Sequence, residues 1–157
     1  MKTAKWKVYA FWIALSEAVG ILASLLIRSG VDIYSQTINK PPLSPPAWVF
    51  PVIWTVLYAI MGISAARIFL AEDSVYKQRS INLFIAQLVI NFFWPLFFFN
   101  LQVFGFALIW LILLWVLILL LILNARKVDT VAAWLLVPYL IWLTFAVYLN
   151  AGVYLLN

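Results

Sequence analysis

The sequence contains no cysteine and no histidine among its 157 residues. These two absences exclude disulfide bonds, zinc sites, thiol nucleophiles, the Ser-His-Asp triad and histidine-ligated haem, so no resident metal is expected. Charged residues are also scarce, at 10%, whereas 68% of the residues are hydrophobic and the mean hydropathy is +1.10. Soluble domains carry about a quarter charged residues. The chain cannot cover itself with polar side chains, and we predict an all-α integral membrane protein.

The sequence instead contains long apolar runs. Five segments approach the roughly 20 residues that a membrane-spanning helix requires. They lie at about residues 6–27, 48–70, 81–99, 103–123 and 131–155. The alternating pattern of a membrane barrel is not present, so we predict one membrane domain over residues 1–157, folded as a bundle of five transmembrane helices. The longest connection, residues 28–47, is predicted to be a structured, proline-rich loop.

The cations are distributed unequally between the two ends of this predicted bundle. Eight of the ten Lys and Arg residues fall on the side shared by the N-terminus and the second and fourth connections. Only Arg28 and Lys40 fall on the opposite side. Because cytoplasmic connections are rich in Lys and Arg, we expect a cytoplasmic N-terminus, with loop 28–47 and the C-terminus outside. Cations placed at segment ends form no patch suited to nucleic acid, so no nucleic-acid partner is expected.

A proline-rich stretch precedes the second span. Residues 39–54 read NKPPLSPPAWVFPVIW and hold five of the seven prolines. Proline fixes its own φ and disfavours helix in the residue before it. Residues 40–46, which we call the strap, should therefore be stiff and non-helical. A rigid strap next to a membrane helix is suited to closing a pocket.

Three spans place aromatic residues, together with amides or hydroxyls, on one helical face. Positions three and four residues apart share a face of a helix, and small or polar residues mark the face that is turned away from lipid. The stripes are Pro51, Trp54, Tyr58 and Met61 in the second span, Phe84, Gln87, Asn91, Trp94 and Phe98 in the third, and Tyr139, Trp142, Ala146 and Asn150 in the fifth. Such stripes often serve packing alone, but indoles with a few convergent amides favour a pocket for a flat, largely apolar ligand.

The remaining spans differ from these three. In the first span, Glu17 is the only carboxylate inside an apolar segment, where an ionised group costs roughly 2.5–3.5 kcal/mol. Glu17 is either a proton or ligand contact or a neutral acid bonded to a neighbouring helix, and the sequence leaves both open. The fourth span has no polar stripe and is typical of a helix that faces lipid or a second subunit. Pro95 and Pro138 predict kinks in the third and fifth spans.

Four motifs resemble the tryptophan-rich sensory protein / translocator protein family, which includes the peripheral-type benzodiazepine receptor. They are KPPLSPP at residues 40–46, VFPVIWTVLYAIMG at 49–62, NFFWPLFF at 91–98 and WLLVPYLIWLTFAVYLN at 134–150. The resemblance implies a five-helix membrane protein, often a homodimer, whose pocket is closed by the connection after the first helix. It also implies that the ligand is a porphyrin or a drug-like small molecule and, in some bacterial members, light-driven breakdown of protoporphyrin IX.

The resemblance also assigns roles to particular residues. Trp54 and Trp142 match the two tryptophans implicated in porphyrin breakdown. The other ligand-binding positions correspond to Tyr34, Tyr58, Asn91, Trp94 and Ala146. Two features depart from the family pattern. Leu43 stands where many members have an aromatic residue, and no Lys or Arg follows Tyr148 or Tyr154, so sterol binding is not supported.

Four functions are compatible with these features. The favoured one is a membrane receptor or translocator that binds a porphyrin (protoporphyrin IX or haem-like) as sensor, carrier or scavenger, without a required cofactor. The second is light-dependent oxidative degradation of that porphyrin, in which the chemistry belongs to the bound macrocycle because the chain has no acid–base pair or metal site of an ordinary enzyme. The others are a structural or regulatory membrane subunit without a ligand and a small transporter.

Overall fold

The computed structural model describes residues 4–157, which contain seven α-helices, one π-helix and no β-strand. The helices are α1 (Lys5–Leu26), α2 (Arg28–Thr37), α3 (Val49–Leu70), α4 (Val75–Pro95), the π-helix (Leu96–Asn100), α5 (Phe104–Ala125), α6 (Thr130–Leu135) and α7 (Val137–Leu156). Among the described residues, five spans are long and apolar enough to cross a membrane: Lys5–Leu26, Val49–Leu70, Val75–Asn100, Phe104–Ala125 and Thr130–Leu156. The prediction of an all-α membrane protein with five spans is confirmed.

The connection between the first two spans is not the continuous loop 28–47 that the sequence predicted, because Arg28–Thr37 form α2. Its two buried residues, Gly30 and Tyr34, stand one turn apart and lie against the π-helix. A helix this short and polar is held by such packing rather than by its own propensity, so the apolar pattern of the sequence gave no sign of it. The strap at residues 40–46 is non-helical, as predicted.

The third and fifth spans differ from their predicted limits. Helix α4 begins at Val75 rather than near residue 81, because Ser74 caps its first turn and accepts a hydrogen bond from the Lys77 N–H at 3.1 Å. The fifth span is divided at Leu136 into α6 and α7. Pro138 lies in the first turn of α7, and it cannot donate the hydrogen bond that would continue α6. The predicted kink is therefore present as a break.

The kink predicted at Pro95 takes the form of a π-helix. Helix α4 ends at this proline, and the wider turns of Leu96–Asn100 follow. Proline lacks the N–H that would continue the i to i−4 pattern, which favours such an irregular turn. Phe98 and Phe99 leave this turn so that both rings reach Tyr34, with ring centroids 5.4 and 5.1 Å away. The irregular turn thus provides the surface on which α2 rests.

The spans form a closed bundle in which α1 packs along α3, α4 along α5 and α5 along α7. Helix α3 packs closely against α6 but only sparsely against α7. Helix α3 is therefore further from the fifth span along α7 than along α6. One face of α5 is exposed, with Ile109 at 69%, while Leu114 on its other face is fully buried. The space between α3 and α7 lies at the end of the bundle that carries the strap.

The two ends of the bundle differ in charge. Lys5, Lys77 and Arg126 lie at the end where α1 begins and where α3 meets α4, which we call the basic end. The end that carries α2, the strap and the C-terminus is called the strap end. Lys2, counted with the cations above, lies outside the described residues. At the helix ends, three tryptophans are about two-thirds exposed, as rings at a membrane interface are: Trp6, Trp48 and Trp134.

Asp129 joins two helices at the basic end. Arg67 of α3 donates from Nε and Nη2 to the two carboxylate oxygens at 3.1 and 3.0 Å, and the Ala132 N–H of α6 donates to Oδ1 at 2.8 Å. Burial alone would raise the pKa of Asp129, but the hydrogen bonds from Arg67 and Ala132 outweigh it and hold this pKa below its usual value. The carboxylate therefore stabilises the fold above the unfolded-state pKa of about 3.9, and this contribution is lost as the pH falls below it.

We expect Asp129→Ala to lower the free energy of unfolding by about 1–3 kcal/mol near neutral pH, because both the helix cap and the ion pair are lost. Asp129→Asn should cost less, since an amide still caps α6. Thermal unfolding in detergent measures both, and the difference from wild type should shrink at about pH 3. Asp73→Ala, which removes an exposed ion pair with Lys77, is the control and should leave the midpoint unchanged. A difference that persists in acid would contradict this assignment.

Candidate functional site

The inward stripes predicted for three spans are nearly all buried. The exception is Pro51, which is exposed, contrary to its place in the predicted stripe. Trp54 and Trp142 are partly buried. The buried members are Tyr58, Met61, Phe84, Gln87, Asn91, Trp94, Phe98, Tyr139, Ala146 and Asn150. The helical periodicity of the sequence therefore predicted correctly which face of α3, α4 and α7 is buried along most of their length.

Five aromatic rings meet between α3 and α7, and we call them the tryptophan cluster: Phe50, Trp54, Tyr58, Tyr139 and Trp142. The Trp54 and Trp142 rings are perpendicular, with centroids 6.5 Å apart. Trp54 also meets Tyr139 edge to face at 6.2 Å and Tyr58 at 5.7 Å. The two indoles point towards each other, and both are partly buried. They occupy the space that the sparse contact between α3 and α7 leaves at the strap end.

A buried hydrogen-bond network supports the tryptophan cluster. The Asn91 Nδ2 donates to the Tyr139 hydroxyl at 2.9 Å, and this hydroxyl donates to Gln87 Oε1 at 2.9 Å. The Gln87 Nε2 reaches the Met61 sulfur at 3.7 Å. Buried amides need such partners, since an unpaired one costs about 1–3 kcal/mol. The amides of α4 thus hold the Tyr139 ring in place beside Trp54.

A second group of rings lies beneath α2, and we call it the strap-side cluster: Tyr34, Trp94, Phe98 and Phe99. Trp94 stacks on Phe98 at 5.1 Å and donates its indole N–H to Asn150 Oδ1 at 3.0 Å. Burial raises the pKa of Tyr34 above its usual value, so its hydroxyl stays protonated near neutral pH. Lys40 Nζ stands 4.9 Å from the Tyr34 ring centroid. This cluster connects the strap to the core.

The predicted site residues are thus divided between two clusters. Trp54, Tyr58 and Trp142 belong to the tryptophan cluster, whereas Tyr34 and Trp94 belong to the strap-side cluster. Asn91 lies on α4 beside the first group through its bond to Tyr139, and Ala146 is buried on the face of α7 that carries Trp142. Both clusters contact the same face of α7, one through Trp142 and the other through the bond from Trp94 to Asn150.

The indole N–H of Trp142 has no acceptor among residues 4–157, although its nitrogen is buried. The indoles of Trp94, Trp110 and Trp115 instead donate to the Asn150 amide, the Ile90 carbonyl and the Thr144 hydroxyl. A buried N–H without a partner costs about 1–3 kcal/mol. Trp142 therefore offers an unused hydrogen-bond donor inside an aromatic cluster, which is where a ligand acceptor would be recognised.

The strap is fastened to α7 above these clusters. The Tyr148 hydroxyl donates to the Pro42 carbonyl at 2.7 Å. Asn157 donates to the Asn39 carbonyl at 2.8 Å and accepts from the Asn39 N–H at 3.1 Å. Leu43 is 82% exposed and has a φ of 67°, which non-glycine residues rarely adopt. The site is thus closed at the strap end by a turn anchored through its backbone.

Four residues of the clusters were not assigned to the site from the sequence, although one of them, Phe98, lies on the predicted stripe of the third span. Tyr139 lies on the predicted stripe of the fifth span, so periodicity contained the signal for it. Phe50 precedes the predicted stripe of the second span. Phe99 reaches the strap-side cluster only because the π-helix changes the register. Glu17 is partly buried on α1 and takes part in neither of the two ion pairs of the described chain.

Comparison with known proteins agrees with this architecture. The TspO/MBR family matches residues 12–156. The chain is 37% identical over 152 residues to the tryptophan-rich protein TspO of Chlorobaculum tepidum, with 94% of each chain covered. It is 33% identical over 152 residues to the tryptophan-rich sensory protein of Cereibacter sphaeroides, covering 97% of this chain and 92% of the relative. It is also 34% identical over 133 residues to the translocator protein of Ovis aries, covering 83% and 79%. The chain therefore belongs to the TspO/MBR family of multi-pass membrane proteins.

Proposed function

We propose that this protein binds a tetrapyrrole such as protoporphyrin IX between α3 and α7, and acts as a sensor, carrier or scavenger in the membrane. The names of its relatives, a sensory protein and a translocator protein, support a role of this type. The observation that carries the proposal is the unused Trp142 N–H inside the tryptophan cluster. Aromatic rings give a flat ligand large contact areas, and a buried donor fixes its orientation.

Binding requires the cluster to open, because its own rings contact one another. The Trp54 and Trp142 rings would part and stack on the two faces or the edge of the macrocycle. The sparse contact between α3 and α7 makes this separation inexpensive for the helices themselves. The Trp142 N–H would then donate to a ligand acceptor such as a propionate oxygen. Lys40, exposed on the strap, supplies a cation for the second propionate.

We also propose an orientation for the protein in the membrane and its assembly as a homodimer. The cations concentrate at the basic end, which favours a cytoplasmic N-terminus and a strap that faces outward. The exposed apolar face of α5, where Ile109 is 69% exposed, suits the second copy of a homodimer. In that arrangement the strap, and the site that it closes, lie on the side away from the cytoplasm.

Trp142→Phe is expected to weaken protoporphyrin IX binding about tenfold, because it removes the hydrogen-bond donor and part of the stacking surface. Titration of the porphyrin Soret band with purified protein in nanodiscs measures the Kd. Trp134→Phe is the matched control, since Trp134 is 69% exposed at the basic end, and its Kd should equal that of wild type. Equal affinity of wild type and Trp142→Phe would refute the proposed role of Trp142.

A second candidate function, light-dependent degradation of the bound porphyrin, is favoured by the contact between Trp54 and Trp142. An illuminated porphyrin can transfer one electron to dioxygen, which becomes superoxide, and the two indoles can trap this species beside the oxidised ring, where its addition commits the macrocycle to oxidative opening. Loss of the Soret band under light, but not in darkness, would support this activity. The double variant Trp54→Phe, Trp142→Phe, loaded to equal occupancy at higher porphyrin concentration, should abolish it if the indoles take part.

A further inference from the structure

A cleft of about 630 Å³ opens on the outer surface of the bundle at the basic end, between α4 and α5. It is remote from both aromatic clusters. Its rim is charged, whereas its wall is apolar. The rim consists of three cations, Arg79, Arg126 and Lys127, and the apolar wall of three leucines, Leu83, Leu120 and Leu123.

The cations of the rim have no carboxylate partner in residues 4–157. The two ion pairs of this part of the chain join Arg67 to Asp129 and Lys77 to Asp73, and no acidic side chain lines the cleft. Three like charges repel one another unless an anion lies among them. The cleft thus presents a concentration of positive charge without an internal counter-ion.

Internal hydrogen bonds hold the cleft in shape. Asn124, at the end of α5, is buried and donates from Nδ2 to the Tyr76 carbonyl at 2.7 Å and to Ser80 Oγ at 2.5 Å. These bonds fasten the end of α5 to the first turns of α4. The Tyr76 ring lies 4.6 Å from Lys127 Nζ and 6.0 Å from Arg79 Cζ, so it holds both cations on the same rim.

We propose that this cleft binds one anionic phospholipid, with its phosphate among Arg79, Arg126 and Lys127 and an acyl chain along the three leucines. The rim stands where membrane-spanning helices end, which is the depth of lipid headgroups. Guanidinium groups bind phosphate oxygens through charged hydrogen bonds, and basic pockets between membrane helices bind anionic headgroups. A soluble phosphate would make no use of the leucine wall, and a zwitterionic lipid would make less use of the three cations.

Native mass spectrometry in detergent, with dioleoyl phosphatidylglycerol and dioleoyl phosphatidylcholine as probes, tests the proposal. We expect a one-to-one adduct with the anionic lipid, and the double variant Arg79→Gln, Arg126→Gln should weaken it roughly 10- to 30-fold. The matched control is Lys5→Gln, Lys7→Gln, which removes the same charge at the same end but outside the cleft and should retain wild-type affinity. Equal weakening in the control would overturn the proposal, because it would show that the lipid responds to the net positive charge of the basic end and not to the cleft.

Two further measurements decide what the cleft recognises. Leu120→Gln leaves every cation in place and, being exposed, should fold normally, yet it should weaken the phosphatidylglycerol adduct. Unchanged lipid affinity in that variant would overturn the placement of the acyl chain. Inorganic phosphate and glycerol 1-phosphate, at the concentration of the lipid, should not displace it, and displacement would assign the site to a soluble anion instead. Thermal midpoints of all variants verify that each one is folded.

Discussion

Gly62→Ala is expected to separate α1 from α3 and to lower the free energy of unfolding by about 3 kcal/mol or more. Gly62 lies on α3 where this helix crosses α1, and it is buried. A methyl group at this position would press on the Ile13 Cα and would lie 2.7 Å from the Ile13 backbone nitrogen. Backbone atoms of a helix cannot turn aside as a side chain can, so the two helices must move apart as whole bodies. Thermal unfolding in detergent, followed by circular dichroism, measures the loss.

Gly105→Ala is the matched control for this experiment. A methyl group there would lie 3.0 Å from the Tyr154 ring, which is 53% exposed and free to rotate away. The same substitution should therefore change the midpoint little at Gly105 and greatly at Gly62. If both variants unfold at the wild-type temperature, the close packing of α1 and α3 does not stabilise the bundle.

The regular parts of this fold could be predicted from the sequence because a bilayer imposes simple rules on them. Length and hydropathy identify the spans, and polar residues within apolar runs show which face turns inward. Gln87 and Asn91 are examples, since both are buried as the spacing predicted. The same rules give no information on α2, which lies outside the spans and is held by Gly30 and Tyr34 against the π-helix.

The sequence indicated which residues line the candidate site, but it did not indicate which of them contact one another. The predicted stripes contain Trp54 and Trp142, yet only the structure shows that the two rings meet at right angles. Asn91 is predicted to contact a ligand, and only the structure shows that its amide donates to the Tyr139 hydroxyl of another helix. A sequence does not reveal which helices share a hydrogen bond, because that depends on their rotation and on breaks such as the one at Leu136. The unused Trp142 N–H is visible only in the structure, where the Ser16 hydroxyl is the other buried side-chain group of residues 4–157 without a partner.

The second large effect is expected at Gly30, where a methyl group would displace α2 from the bundle. Such a group would press on the Asn100 amide oxygen and would lie 2.8 Å from the carbonyl carbon and oxygen of Phe99. Asn100 cannot easily yield, because its Nδ2 donates to the Leu26 carbonyl at 2.9 Å. Helix α2 must therefore move outward and take the Tyr34 ring away from Phe99.

Gly30→Ala should consequently weaken protoporphyrin IX binding at least about tenfold, since the ligand would lose one wall and its cover. Because α2 contacts the bundle mainly through the π-helix, whereas α1 and α3 pack along each other, the thermal midpoint should change much less than it does in Gly62→Ala. Limited proteolysis should cut residues 28–47 faster, which reports the displacement independently of any ligand. Ser29→Ala, exposed on the same helix, is the control and should match wild type in both measurements. Faster cleavage with an unchanged Kd would show that α2 moves without covering the site, and the ligand would then have to be placed entirely within the tryptophan cluster.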